Sequence, residues 1–230
     1  MNNYVSALRS GLQPTFTKLG IMTVATAALV LTGCGSKTTP PAPPAAQAQG
    51  KLYVAVPFSP PTGNGAIVRF DNPSALSGSI APSASITGDL TLLNMPEASM
   101  ALDTTADRMF ALVPITPTTA AILVFDDVST KSGNFAPDRV ITGSATGLIG
   151  TGPLVVDGAK DIVYAESGPD AGGNAEILTS KNASTASGNV APSSILRVGP
   201  AGIAAIDMVL DGANDRLFLL MNDQAVRVLD

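Results

Sequence analysis

The chain has no histidine, no tryptophan and a single cysteine in 230 residues. Without histidine there is no Ser-His-Asp or Cys-His catalysis, and the commonest zinc ligand is missing. The lone cysteine, Cys34, cannot form an intrachain disulfide. Aromatic residues make up 4% of the chain, too few for a carbohydrate-stacking platform. The formal net charge is −5 and no block of Lys and Arg occurs, so nucleic acid, whose phosphates need clustered cations, is not an expected partner. The longest apolar run, 19–31, falls short of the roughly 20 residues that span a bilayer.

What the chain does have is a repeat. GSIAP at 78–82 returns as GNFAP at 133–137 and GNVAP at 188–192, an offset of 55 each time. ALDTTADRMFAL at 101–112 returns as VVDGAKDIVYAE at 155–166 and VLDGANDRLFLL at 209–220, an offset of 54. Such a period marks a repeat architecture. Each unit reads as four short strands rich in Val, Ile, Leu and Phe: 66–71, 84–88, 99–103 and 108–113 in the first complete copy. Residues 51–230 are therefore expected to be all-β, with no helix longer than a turn or two.

The loop between the first and second strands of each unit has a fixed grammar. DNPSALSGSIAP, DDVSTKSGNFAP and KNASTASGNVAP align without gaps, with Ser74, Ser129 and Ser184 in register. Gly78, Gly133 and Gly188 fall at one offset, which suits a backbone position with φ > 0. Pro82, Pro137 and Pro192 should stand just before a strand. The aspartates Asp103/Asp107, Asp157/Asp161 and Asp211/Asp215 recur in pairs. Carboxylates so repeated could bind calcium. Their identical placement in every copy points instead to a turn joining the third and fourth strands, because one active site would break the repeat whereas scaffolding obeys it.

The N-terminus has the form of a targeting segment. Arg9 and Lys18 precede the apolar run, which ends in Leu31-Thr32-Gly33-Cys34. This resembles the bacterial lipobox. The resemblance implies removal of 1–33, lipidation of Cys34 and anchorage to a membrane, with each buried methylene contributing roughly 0.8 kcal/mol. Gly35 and Ser36 follow the cysteine; in Gram-negative lipoproteins the absence of aspartate there goes with the outer membrane. Residues 36–50, SKTTPPAPPAAQAQG, read as an extended tether within a 34–50 linker segment. The folded domain is then 51–230, long enough for a core of its own.

Four-stranded units at this spacing resemble β-propeller blades. The string from the first strand through "S-T-x-x-G-N-x-A-P", "I-T-G" and "D-R-L-F" is similar to repeats of uncharacterised bacterial secreted propellers, loosely of the NHL, YVTN and SMP-30-like group. The lack of tryptophan sets the chain apart from propellers whose blades are locked by that residue. The resemblance implies architecture, not activity, since the group includes binding scaffolds, lactonases and proteins of unknown role. Its metal-dependent lactonases use a Glu, Asn and Asp set around a central channel, and no such set matches here, so neither cofactor nor metal is expected. In the third copy the VFD of 124–126 becomes Thr179-Ser180-Lys181. That strand is either degenerate or has an altered surface.

Function would show where the copies differ. The loops at 57–65, 114–120, 167–174 and 221–224 vary in length and character, and binding residues favour such loops over a rigid scaffold. The non-repeated candidates are Phe58, Asp170, Glu176, Asn222 and Asp223, set against ordinary loop drift; Asn64-Gly65 reads as a hairpin turn. The leading expectation is a lipid-anchored, non-catalytic propeller module that binds an envelope component, with a metal-dependent lactonase or hydrolase, or a passive assembly protein, as alternatives. The strand count from 52–56 to 225–230 is 14, which at four per blade is about three and a half blades. Propellers close with four to eight. An incomplete or open propeller is therefore expected, with unpaired edges at 52–56 or 226–229 that favour self-association. Two explanations are open: the chain is a truncated, partly open member of a longer family, the favoured reading, or two copies associate, since 28 strands is the number in seven blades.

Overall fold

The computed structural model describes residues 50–56, 65–93, 99–116, 118–150, 152–169 and 172–230. The leader, Cys34, the 36–49 part of the tether, and Phe58, Asn64 and Asp170 lie outside them. Among the described residues no helix is long and apolar enough to cross a membrane.

The described chain is all-β. Its only helices are three single turns of 3-10 helix, Pro73–Ala75, Asp89–Thr91 and Ser144–Thr146. Fourteen strands follow one another: β1 (Lys51–Val56), β2 (Ala66–Asp71), β3 (Ala84–Thr87), β4 (Ser99–Asp103), β5 (Arg108–Thr116), β6 (Thr119–Phe125), β7 (Arg139–Thr142), β8 (Leu154–Asp157), β9 (Ile162–Pro169), β10 (Ala175–Lys181), β11 (Ser194–Arg197), β12 (Ala205–Asp211), β13 (Arg216–Met221) and β14 (Val226–Leu229). They form four antiparallel sheets, β1-β2-β3, β4-β5-β6-β7, β8-β9-β10-β11 and β12-β13-β14, none of them closed.

The strand count agrees with the sequence reading, but the division does not. The repeat unit read as β2 to β5 straddles two sheets, and 14 strands make four sheets of three, four, four and three rather than three and a half. The reason lies at the Gly of I-T-G. Gly88 and Gly143 have φ of 118° and 126°, a turn of 3-10 helix follows each, and Leu92 and Gly147 close it with φ of 60° and 70°. These left-handed steps carry the chain out of one sheet and onto the next. By contrast, β4–β5 and β8–β9 are joined by four-residue turns that keep their strands paired.

Successive sheets pack face to face. Met109, Ala111, Leu123 and Phe125 of the second sheet meet Tyr53, Ile67 and Ile86 of the first. The alternate residues of the same strands, Phe110, Leu112, Ile122 and Val124, meet Val163, Ala165 and Leu178 of the third. A third cluster, with Ile177, Met208, Leu217 and Leu219, joins the third and fourth sheets. The period of two thus buries both faces of β5 and β6. β8 lies beside both β4 and β12, so the first strands of these three sheets form one row. At the opposite edge the repeated glycines link neighbouring sheets. Gly133 N donates to Ser85 O and Thr87 N to Gly133 O; Gly188 N donates to Val140 O and Thr142 N to Gly188 O. Gly78, Gly133 and Gly188 have φ of 76°, 97° and 75°, as their offset predicted.

The third copy's Thr179-Ser180-Lys181 does not break its strand. β10 runs over seven residues and pairs with β9 and β11. Only its surface is altered: Lys181 is exposed where Asp126 closes the second copy, and Thr179 is half-buried where Val124 is fully buried.

Candidate functional site

The repeated aspartates hold turns and loops. Asp103 Oδ1 accepts from Thr105 N at 3.0 Å, from the Thr105 hydroxyl at 2.6 Å and from Ala106 N at 3.2 Å. Asp157 Oδ1 accepts from Lys160 N, and Asp211 from Asn214 N and Nδ2. The second aspartate of each pair closes its turn in the left-handed region, with φ of 51°, 55° and 56° at Asp107, Asp161 and Asp215, a conformation a short polar side chain tolerates. Asp107 then accepts from Ser129 N at 3.0 Å, and Asp161 from Ser184 N and the Ser184 hydroxyl, each at 2.7 Å. The repeated Asp and the repeated Ser, read separately in the sequence, are two ends of one latch. Asp215 pairs with Lys160 of the neighbouring sheet. Among the described residues no group of three or more His, Cys, Asp or Glu could hold a metal ion.

An ion cluster sits on the second sheet. Arg139 grips both carboxylate oxygens of Asp126, at 2.7 and 3.0 Å, and Arg108 Nε bonds the same group. The Arg139 hydrogen bond first, then Arg108, holds the Asp126 carboxyl down at about 2 despite its partial burial.

The loops that vary between copies are the hairpins β1–β2, β5–β6, β9–β10 and β13–β14, so they stand at the same end of each sheet. Three sequence candidates are described there, and each serves the fold. Glu176 pairs with Arg197, its cross-strand neighbour. Asn222 ties the last hairpin to the connection before β12, accepting from Ala204 N through Oδ1 and donating from Nδ2 to Gly202 O. Asp223 accepts from Ala225 N and pairs with Arg227.

The residue that stands out was not singled out by sequence: Glu166, near the same end of β9. It is 3% exposed, and its Oε1 has no hydrogen-bond partner. Its Oε2 receives one long bond of 3.3 Å from Gly168 N. Burial alone pushes its carboxyl up to about 7. The neighbouring Ser167, also buried, spends its hydroxyl on Gly147 O. Gly152 is required beside Glu166, because a Cβ there would overlap the carboxylate. The signal was present in the repeat. Leu112 and Leu220 stand at the same step of the other copies, so Glu166 breaks a repeat that every paired Asp obeys.

A second departure lies between the third and fourth sheets. Thr179, Ser194, Leu196, Leu217 and Leu229 line a cavity of about 200 Å³. Leu196 is 47% exposed, whereas Ile86 and Ile141 at its repeat position are 3% and 2% exposed. The Gly133 and Gly188 loops cover those two isoleucines. No counterpart over Leu196 exists among the described residues.

No family model matches this chain, and no curated protein matches it.

Proposed function

We propose that the chain is an exported, lipid-anchored protein of the bacterial envelope. Cys34 carries the lipid, 36–50 form the tether, and the β domain is an open arc of propeller-type blades serving as a non-catalytic binding or scaffold module. One observation carries the non-catalytic part: the repeated carboxylates of Asp103, Asp107, Asp157 and Asp161, and the Ser184 hydroxyl, are consumed in holding turns and loops. The row formed by β4, β8 and β12 supports a propeller-type arrangement, in which first strands gather at one edge of the blades. The anchor rests on the charged start, the apolar run and the LTGC ending.

Cys34→Ser tests the anchor. The variant should move from the membrane fraction to the soluble one; retention on the membrane at wild-type level overturns the reading. Metal analysis of the purified protein tests the module. A divalent ion bound stoichiometrically would favour the metal-dependent lactonase or hydrolase alternative.

A further inference from the structure

The two ends of the arc carry the two halves of a contact that the chain already makes inside itself. On the fourth sheet one face is buried against the third, through Met208, Leu217 and Leu219. The other face presents Val209, Phe218, Leu220, Val226 and Val228, of which Val209 is 61% exposed and Val226 64%. Phe218 and Leu220 stand at the repeat positions of Phe110 and Leu112, which are 1% and 0% exposed in the contact between the second and third sheets.

The first sheet shows the matching half. Tyr53 and Ile67 point into its contact with the second sheet. The alternate residues Leu52, Val54, Val68 and Phe70 form the opposite face and are only half-buried. Leu52, Val54 and Val68 stand at the repeat positions of Val163, Ala165 and Leu178, the residues that receive Phe110 and Leu112 inside the chain.

We propose that these faces bind each other between copies: the open face of the β12-β13-β14 sheet of one chain packs on the open face of the β1-β2-β3 sheet of a second. The contact repeats the internal one, with apolar rows on the same strand types, so complementarity is built into the repeat and needs no new surface. A monomer leaving both faces in water would expose apolar patches of the kind that mark interaction sites. The contact is head-to-tail, not isologous. Two copies would bring eight sheets to a ring if the rotation closes, and a chain of copies if it does not. The four-sheet division thus replaces the seven-blade arithmetic of the strand count. This inference does not rest on the lipid anchor or on the absence of catalysis.

Sedimentation of the purified full chain tests it, with Val228→Asp and Val54→Asp as single-face variants whose β content is checked by circular dichroism. Wild type should sediment at twice its monomer mass or more. Each variant alone should be monomeric, because every head-to-tail contact needs one of each face. An equimolar mixture should recover a pair, built from the intact fourth sheet of Val54→Asp and the intact first sheet of Val228→Asp. If a variant misfolds, a Cys34→Ser, Val54→Cys, Val228→Cys chain, free of the native thiol, should crosslink between copies under oxidation. A monomeric wild type overturns the proposal, as it would if the chain's own remaining residues covered either face. So do variants that still pair alone, a mixture that recovers nothing, or the absence of an intermolecular crosslink.

Discussion

Replacing Glu166 by Gln should make the protein more stable at pH 8 and leave it nearly unchanged at pH 4. The carboxyl is buried and lacks a full set of partners, which raises it from an ordinary 4.5 to about 7. Between those values the folded chain holds a proton that the unfolded chain has released. Stability therefore falls as pH rises through this window, by at most about 1.4 kcal/mol per pH unit, and levels off above the folded-state value. The accumulated penalty at pH 8 is about 3 kcal/mol. For a domain of this size that corresponds to roughly 6–12 °C in melting temperature. Glutamine has no charge to desolvate, so Glu166→Gln removes the slope, and Glu166→Leu restores the residue type found at the other two copies. With no tryptophan to report unfolding, far-UV circular dichroism during urea or thermal unfolding at pH 4, 6 and 8 is the suitable assay. Comparing the variant with wild type at each pH cancels the other titrating groups. A difference between them that stays constant from pH 4 to pH 8 would refute the reasoning, since it would mean that Glu166 ionises at its ordinary value.

Two further outcomes follow from the repeated polar groups. Asp103→Ala should destabilise the chain by about 2 kcal/mol and Asp157→Ala by about half that, because Asp103 accepts three hydrogen bonds in its turn and Asp157 one; equal losses in chemical denaturation would contradict this. Asp126→Asn should destabilise the chain at neutral pH, with the difference from wild type vanishing in strong acid: with its carboxyl held at about 2, the Arg139–Asp126–Arg108 cluster is fully formed above the ordinary carboxylate range and lost as pH falls through 2. Because the cluster is partly exposed, the loss at neutral pH should be only about 1 kcal/mol. A variant and wild type with superimposable acid unfolding curves would show that the cluster contributes nothing.

The period of 54–55 residues, the strand positions, the left-handed glycines and the all-β class could be read directly from the sequence, because each is written locally: alternating apolar residues, turn residues at fixed offsets, Gly where φ is positive. The structural role of the aspartates was also legible from their obedience to the repeat. What the repeat could not supply was its own phase. A periodic string has no marked origin, and whether β3 stays beside β2 or joins β4 depends on hydrogen bonds across the sheet and on the left-handed turn at Gly88. Nor could spacing alone reveal that Asp107 reaches Ser129, 22 positions on, since that contact exists only once β5 and β6 have paired. Glu176 and Asn222 have neighbours that only folding brings near, Arg197 across the strand pair and the backbone before β12, whereas the partners of Asp223, Ala225 and Arg227, are local to its hairpin. Glu166 is the reverse case. Its departure from Leu112 and Leu220 was visible in the string, but a glutamate on a strand end could as well have faced water, and only the packing of the sheets decided that it is buried without a full set of partners.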